Sequence, residues 1–221
     1  MRELTYSIVA VNVRRGLGGV AVASGSVAVG SRVPWCVHGV ACVATQAFTN
    51  PALGPRVINA VASGLGAEEA LKAALSTDAR PERRQVGVAT FSGDVACYTG
   101  SEAPESRGCV KGVVGGDTHY VVVGNLLRSA EVVKAAALGF ARALRGGSDL
   151  IEALLAGLEA AADAGGDARG ERSAALIVVG ETEWGREYDR VVDARVDLST
   201  HPLRELREVI ELLRPKPGGQ A

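Results

Sequence analysis

The segment ATQAFTNPALGPR, residues 44–56, carries the polar side chains best suited to bind a ligand. An apolar strand ends there, and a helix start punctuated by proline follows. The polar side chains of the segment are Thr45, Gln46, Thr49 and Asn50. Hydroxyl and amide groups that gather where a buried strand emerges can hold a small molecule by hydrogen bonds. None of the four is a nucleophile or a base by itself, so the segment predicts a substrate-binding site more firmly than a reaction.

Further candidates for this site lie at predicted strand ends and in a glycine-rich loop. Asn125 and Ser24 each end a predicted strand, and Asp167 and Arg169 lie in GGDARGERS before a buried strand. Turn formation is the competing interpretation of Ser24, because small polar residues often form turns at strand ends. The Asp167–Arg169 pair could equally be a functional pair or a structural staple of the loop.

The sequence predicts neither a metal site nor a cofactor. The four cysteines form no CxxC pair, and only three histidines accompany them. We expect buried free thiols at Cys36, Cys42, Cys97 and Cys109. A bridge such as Cys36 to Cys109 is the alternative if the source is a hyperthermophile. The glycine segments 16–19 and 115–117 do not open a helix after a strand, so neither indicates a phosphate loop.

Composition and charge exclude several classes of partner. The net charge is −1 with mixed signs along the chain, which gives no basic face for nucleic acid or an anionic membrane. The N-terminus MRELTYS lacks a signal-peptide apolar region, and the apolar runs are too short to span a bilayer. We expect a cytoplasmic protein of one domain over residues 1–221, with a disordered tail at 215–221. Alanine-rich helices suggest close subunit packing and therefore a homo-oligomer.

Strand blocks and helix pairs alternate along the chain. Nearly continuous apolar or small residues in the strands indicate that both faces of each sheet are covered. Strands are predicted at 5–13, 19–24, 39–46, 84–91, 94–100, 118–125, 173–180 and 190–196. Helices are predicted at 51–63, 67–75, 129–144, 149–162 and from Pro202 to near Leu213.

This order favours an α+β fold in which two antiparallel sheets pack on each other and a helix layer covers each, an αββα sandwich of four layers. A doubly wound α/β fold is the competing architecture. The sequence supports that fold less well, because hairpins indicate antiparallel pairing and no single helix regularly separates successive strands.

Several blocks resemble the family called Domain of Unknown Function 1028. In order, they are ATQAFTNPALGPR, RRQVGVATFSGDVACYTGSE, the GNLL of residues 124–127, AGGDARGERSAALIVV and HPLREL. The resemblance spans nearly the whole chain. That family is grouped with the N-terminal-nucleophile (Ntn) hydrolases, which implies the same αββα sandwich. Its members have no settled activity, so the resemblance implies the fold more strongly than the chemistry.

The resemblance also implies a nucleophile. Ntn enzymes begin their first strand with a Thr, Ser or Cys that cleavage exposes, and Thr5 matches that position. Arg2 is too large for ordinary methionine removal, so Thr5 becomes terminal only if the Leu4–Thr5 bond is cut. The acidic residue and the lysine that proteasome-type Ntn enzymes use are missing from the matching regions, residues 24–31 and 34–45.

Two functions of different class follow from the sequence. The first is an amide-bond hydrolase of a small amidated or ureido-type metabolite, with Thr5 as the catalytic residue. The second is a non-catalytic small-molecule-binding or structural oligomeric protein on the same scaffold. The mass of the mature chain discriminates them, because loss of MREL supports the enzyme.

Overall fold

The structure, a computed structural model, describes residues 5–167 and 170–213. Its strands are β1 (Thr5–Asn12), β2 (Leu17–Ser24), β3 (Pro34–Val37), β4 (Ala41–Ala47), β5 (Arg84–Thr90), β6 (Val95–Thr99), β7 (Gly108–Val114), β8 (Thr118–Asn125), β9 (Ser173–Val179) and β10 (Arg190–Val196). Its α-helices are α1 (Leu53–Ala62), α2 (Ala67–Leu75), α3 (Glu131–Arg145), α4 (Leu150–Asp163) and α5 (Pro202–Leu213).

The strands form two antiparallel sheets, as the hairpin signals predict. The larger sheet has the order β10-β9-β2-β1-β8-β7, and the smaller has the order β3-β4-β5-β6. Each neighbouring pair in both sheets is antiparallel. The protein is therefore a mixed α+β structure with two antiparallel sheets, and the doubly wound alternative is wrong.

Side-chain alternation along the strands sorts the apolar residues into three cores. In β1, Ile8 packs in the core that contains Phe140 of α3 and Leu154 of α4, whereas Val9 faces the core between the two sheets. The smaller sheet packs its other face on α1 and α2, in the core that contains Val57. Both faces of central strands such as β1 and β2 are thus covered, whereas alternate residues of the edge strand β10 are exposed.

The register brings several strand ends to one end of the sheets. Thr5 pairs with Ser24 of β2 and with Asn125 of β8. In the smaller sheet, Gln46 of β4 pairs with Gln85 of β5. Since Thr5, Ser24 and Asn125 are all terminal residues of their strands, polar side chains accumulate where the apolar strands end.

Two strands were not predicted from the sequence. β3 has only four residues, and β7 begins at Gly108 and contains Gly112 in a segment without a continuous apolar face. The side chain of Tyr120 explains one of these glycines, because a Cβ atom at Gly112 would lie 2.5 Å from its hydroxyl oxygen. β7 therefore forms through its pairing with β8 and not through local propensity.

The cysteine prediction is wrong for two of the four residues. Cys97 of β6 and Cys109 of β7 form a disulfide, with their Cα atoms 6.7 Å apart, so neither is a free thiol and Cys109 does not pair with Cys36. Cys36 and Cys42 are free and buried, as expected. The sequence could not give the pairing, because Cys97 and Cys109 meet only where the edges of the two sheets come together.

Two further predictions concern the termini and the membrane. The predicted tail at 215–221 lies outside the described residues. No helix in the described part of the chain is long and apolar enough to cross a membrane.

Candidate functional site

A buried layer of polar side chains fills one end of the space between the sheets. We call it the polar inter-sheet cluster, and its members are Thr5, Ser7, Ser24, Gln46, Gln85 and Asn125, each at most 2% exposed. They continue the strand faces that elsewhere carry Val9, Val22 and Val123 in the apolar core between the sheets. Buried polar groups are costly unless they are paired, so this layer must be held by hydrogen bonds.

Gln85 is the centre of that hydrogen-bond network. Its Nε2 donates to the carbonyl oxygens of Gly124 at 2.9 Å and Gly108 at 3.3 Å. Its Oε1 accepts from Gln46 Nε2 at 2.8 Å and from Asn125 Nδ2 at 3.0 Å. Because carbonyl oxygens only accept, the orientation of the Gln85 amide is fixed, and this orientation fixes those of Gln46 and Asn125.

Thr5 is held from both sides. Its Oγ1 lies 3.1 Å from Ser24 Oγ, and its carbonyl oxygen accepts from Gln46 Nε2 at 3.1 Å. Gln46 is positioned in turn by Ser7, whose Oγ donates to Gln46 Oε1 at 2.6 Å. The Thr5 side chain is therefore held on the face of β1 that also carries Ser7 and Val9.

Two atoms beside Thr5 lack a hydrogen-bond partner among the described residues. They are Asn125 Oδ1 and Ser26 Oγ, both buried. Ser26 is close to Thr5 through Ser24, whose Oγ accepts from the Ser26 backbone N–H at 3.1 Å. Unsatisfied buried polar atoms are rare in folded proteins, and a ligand that supplies the missing partner is one reason for them.

The polar side chains of segment 44–56 lie in two different places, the polar inter-sheet cluster and the opposite side of the smaller sheet. Gln46 enters the cluster, whereas Thr45 lies on the opposite face of β4 and donates through Oγ1 to the carbonyl oxygen of Asn50 at 3.2 Å. The amide of Asn50 donates to Asp78 Oδ2 at 2.7 Å. Thr49 is half-buried in the loop between β4 and α1. Successive side chains of a strand point to opposite faces, so Thr45 and Gln46 cannot serve the same site.

Asp167 lies next to the cluster at the turn that follows β2. Its carboxylate accepts from the backbone N–H of Gly25 at 2.6 Å, next to Ser24 and Ser26. Its backbone N–H donates to Glu171, which also accepts from the hydroxyl of Tyr6 at 2.9 Å. Burial, together with the Glu171 carboxylate, raises the pKa of Tyr6 well above its usual value. Arg169 lies outside the described residues.

A cavity of about 650 Å³ opens near the end of β8. It is lined by Phe48, Leu126, Leu127 and the loop of residues 101–107. The loop is held by backbone hydrogen bonds from Leu126 to Glu105 at 2.9 Å and from Leu127 to Ser106 at 3.1 Å. Leu126 follows Asn125 directly, so this cavity lies beside the cluster, although its lining includes none of the cluster side chains.

Backbone strain accumulates around the same place. Ala47, Ser106 and Leu126 have positive φ angles of 73°, 49° and 54°. Each such residue costs about 1–3 kcal/mol, and strain of this kind clusters at functional sites. The three residues adjoin Gln46, the cavity loop and Asn125, so the strain coincides with the polar cluster and the cavity.

Sequence reasoning considered Ser26, with Ser24, as a site hydroxyl or a turn former, but it did not identify Gln85 or Ser7 as site residues. The signal for Gln85 was available, because it is an amide at the start of a strand otherwise made of apolar and small residues. In the described residues, no group of three or more His, Cys, Asp or Glu side chains could hold a metal ion.

Comparison with known proteins gives a family. The family of unknown function DUF1028 matches residues 5–206. The crystal structure of a protein from Silicibacter pomeroyi, which carries the same family name, is similar to this structure with a TM-score of 0.83. The two sequences are 27% identical, and the match covers 95% of this chain and 85% of that one. Among curated proteins, none matches. The chain belongs to the DUF1028 family.

Proposed function

We propose that this protein is an amide-bond hydrolase of the Ntn type that acts on a small amidated or ureido-type metabolite. Thr5 is the nucleophile after cleavage of the Leu4–Thr5 bond. The observation that carries the proposal is the position of the Thr5 hydroxyl, 3.1 Å from Ser24 Oγ and within a cluster of oriented amides. The packing of two antiparallel sheets between helix layers supports an Ntn-like fold.

The chemistry needs no cofactor. A free α-amine has a pKa of about 7.7–8.0, so at neutral pH a fraction is uncharged and can accept the hydroxyl proton of Thr5. Oγ1 then attacks the amide carbon of the substrate, and the leaving nitrogen departs with that proton. Water hydrolyses the resulting ester and restores the hydroxyl.

Asn125 supports an amide as the ligand. It uses Nδ2 for one hydrogen bond to Gln85, while its Oδ1 has no partner among the described residues. A carboxamide or urea supplies the N–H donor that Oδ1 lacks. Gln46 has a different role, because its Nε2 already donates to Thr5 and Gln85, and it positions the nucleophile.

A non-catalytic binding protein is the second candidate. The observation that favours it is burial, since Thr5 is only 2% exposed and Asn125 is fully buried. In an uncut chain the Thr5 nitrogen is acylated by Leu4 and cannot act as a base. The same polar atoms would then hold a ligand without reacting with it.

The test combines the mass of the mature protein with an activity screen. We expect loss of residues 1–4 and hydrolysis of at least one member of a panel of primary amides, ureides and N-acyl amino acids. Thr5→Ala removes the nucleophile and should lower turnover by at least about 10³-fold, whereas Thr5→Ser should retain activity.

Thr118→Ala is the matched control, since Thr118 begins β8 at the opposite end from Asn125. It should leave turnover close to that of the wild type. Unchanged turnover in Thr5→Ala, or an active protein that keeps Met1, would falsify the assignment of Thr5. Ligand binding without hydrolysis would favour the second candidate.

A further inference from the structure

We propose that the Cys97–Cys109 disulfide is a redox-modification site through which a dithiol, either a small molecule or a protein, controls the cavity beside the polar inter-sheet cluster. The effect on the cavity wall is independent of the proposed hydrolase. The effect on turnover rests on that proposed function.

The disulfide joins the two sheets at their edges. Cys97 lies on β6, the last strand of the smaller sheet, and Cys109 lies on β7, the last strand of the larger sheet. Edge strands have a hydrogen-bonded neighbour on one side only, so they separate more easily than central strands. The disulfide is therefore a covalent link at the place where the two sheets are least constrained.

The bridged segment forms one wall of the cavity. Only 12 positions separate the two cysteines in sequence, and the loop of residues 101–107 lies between them. The disulfide closes the base of this loop. After reduction, the loop keeps its backbone hydrogen bonds to Leu126, Leu127 and Glu82, but it loses the covalent link between its two ends.

Gln85 connects the disulfide to Thr5. Its Nε2 donates to Thr99 Oγ1 at 3.0 Å and to the Gly108 carbonyl oxygen at 3.3 Å, so it touches the strand of each cysteine. The same amide holds Gln46 and Asn125 through Oε1. Separation of β6 from β7 would remove the Thr99 or the Gly108 acceptor and leave Nε2 anchored on the Gly124 carbonyl oxygen. The Gln85 amide would then be held less tightly, and so would the amides that orient Thr5.

A dithiol approaches the bond at the sheet edges. Both cysteines are half-buried on edge strands, where their side chains pack at the rim of the core between the sheets. A thiolate of the dithiol attacks one sulfur, which breaks the cysteine–cysteine bond and releases the other cysteine as a thiolate that takes up a proton. The second thiol of the reagent then displaces the remaining cysteine. Two electrons and two protons pass to the protein, and the dithiol becomes a disulfide.

The remaining cysteines provide a matched control. Cys36 and Cys42 are 3% and 0% exposed and are not bridged. Burial raises the pKa of Cys42 well above its usual value, which disfavours the reactive thiolate. A Cys36→Ala/Cys42→Ala variant should therefore keep the redox response, whereas a Cys97→Ser/Cys109→Ser variant should behave permanently like the reduced protein.

The test is amide hydrogen exchange of the full chain, oxidised and after treatment with dithiothreitol. We expect reduction to increase exchange at residues 101–107 and 126–127 by at least about tenfold while β1 and β2 stay protected, with recovery on reoxidation. Unchanged exchange in the reduced loop, or faster exchange throughout both sheets, overturns the proposal. A disulfide that dithiothreitol does not reduce in the folded protein overturns it as well.

Turnover is the second readout. If the hydrolase proposal holds, reduction should lower turnover at least about threefold, and reoxidation should restore it. A redox-dependent loop in a protein without hydrolase activity would refute the proposed function and keep the redox site. Full turnover in a protein with a reduced, fast-exchanging loop would refute the coupling through Gln85.

Discussion

The carboxylate of Asp78, beside segment 44–56, is held by hydrogen bonds from two side chains. Its carboxylate accepts from Arg84 Nε and Nη2, both at 3.0 Å, and from Asn50 Nδ2 at 2.7 Å. The hydrogen bonds from Arg84 are the largest cause of a lowered pKa, which falls from 3.8 to about 2. Asn50, predicted as a substrate-binding residue, thus donates a hydrogen bond that stabilises a buried carboxylate.

This carboxylate predicts a pH dependence of stability. A pKa lowered in the folded state contributes stability above the unfolded value of about 3.9, and that stability is lost as the pH falls towards about 2. The contribution at neutral pH is about 2 kcal/mol. Asp78→Asn should lower the free energy of unfolding by about that amount at pH 7. It should also make the fall of that free energy between pH 4 and pH 2 less steep. Chemical denaturation at a series of pH values measures both effects.

Asp193→Asn is the control for Asp78. Asp193 also pairs with an arginine, Arg195, at 2.9 Å, but both side chains are partly exposed. Exposed pairs contribute about 0–1 kcal/mol, so this variant should stay close to the wild type. Equal destabilisation by the two variants would contradict the prediction that the Asp78 carboxylate stabilises the fold more than an exposed ion pair does.

At the scale of elements, α4 packs closely on both β1 and α3. The contact depends on Gly157, which is buried on α4. A Cβ atom at this position would lie 2.3 Å from Ile8 Cδ1 of β1 and 3.1 Å from the Ala136 carbonyl oxygen of α3. Real Cβ atoms essentially never come within 3.0 Å of another atom, so Ile8 would have to shift, and the 3.1 Å contact with the α3 backbone leaves the helix little room to give way.

Gly157→Ala should therefore destabilise the protein. Although alanine favours helices by about 1 kcal/mol over glycine, overpacking typically costs about 1–3 kcal/mol, so we expect a net loss measured as a lower Tm. Gly66→Ala is the control for the added methyl group, because the nearest atom to its Cβ is 3.7 Å away. Gly66 is the N-cap of α2, so this variant should lose less than about 1 kcal/mol through the cap alone. A higher Tm for Gly157→Ala would show that α4 does not press on β1.

At the scale of the whole molecule, association remains a prediction. The outer helices are rich in alanine, and Leu138 of α3 is 68% exposed. We expect sedimentation velocity at micromolar concentration to give a mass of at least a dimer. A monomer mass of 22.7 kDa across that range would refute the homo-oligomer.

Local patterns in the sequence were sufficient to predict most of the strands and helices and the antiparallel pairing of the strands. Apolar runs covered on both faces, hairpin turns and helical spacing each depend on neighbouring residues, so the two antiparallel sheets could be predicted. Thr5, Gln46 and Asn125 could be placed at strand ends for the same reason. The family resemblance is likewise carried by contiguous blocks of sequence.

The tertiary structure alone decided which strand ends meet and which faces they share. Gln85 became the centre of the cluster because β5 lies opposite β1 and β8 across the space between the sheets, a relation between residues about 40 to 80 positions apart. Thr45 turned away from Gln46 because the strand alternates its side chains, and Asn50, in the loop after the strand, turned to Asp78. The Cys97–Cys109 pairing likewise required the meeting of two sheet edges, which no local pattern encodes.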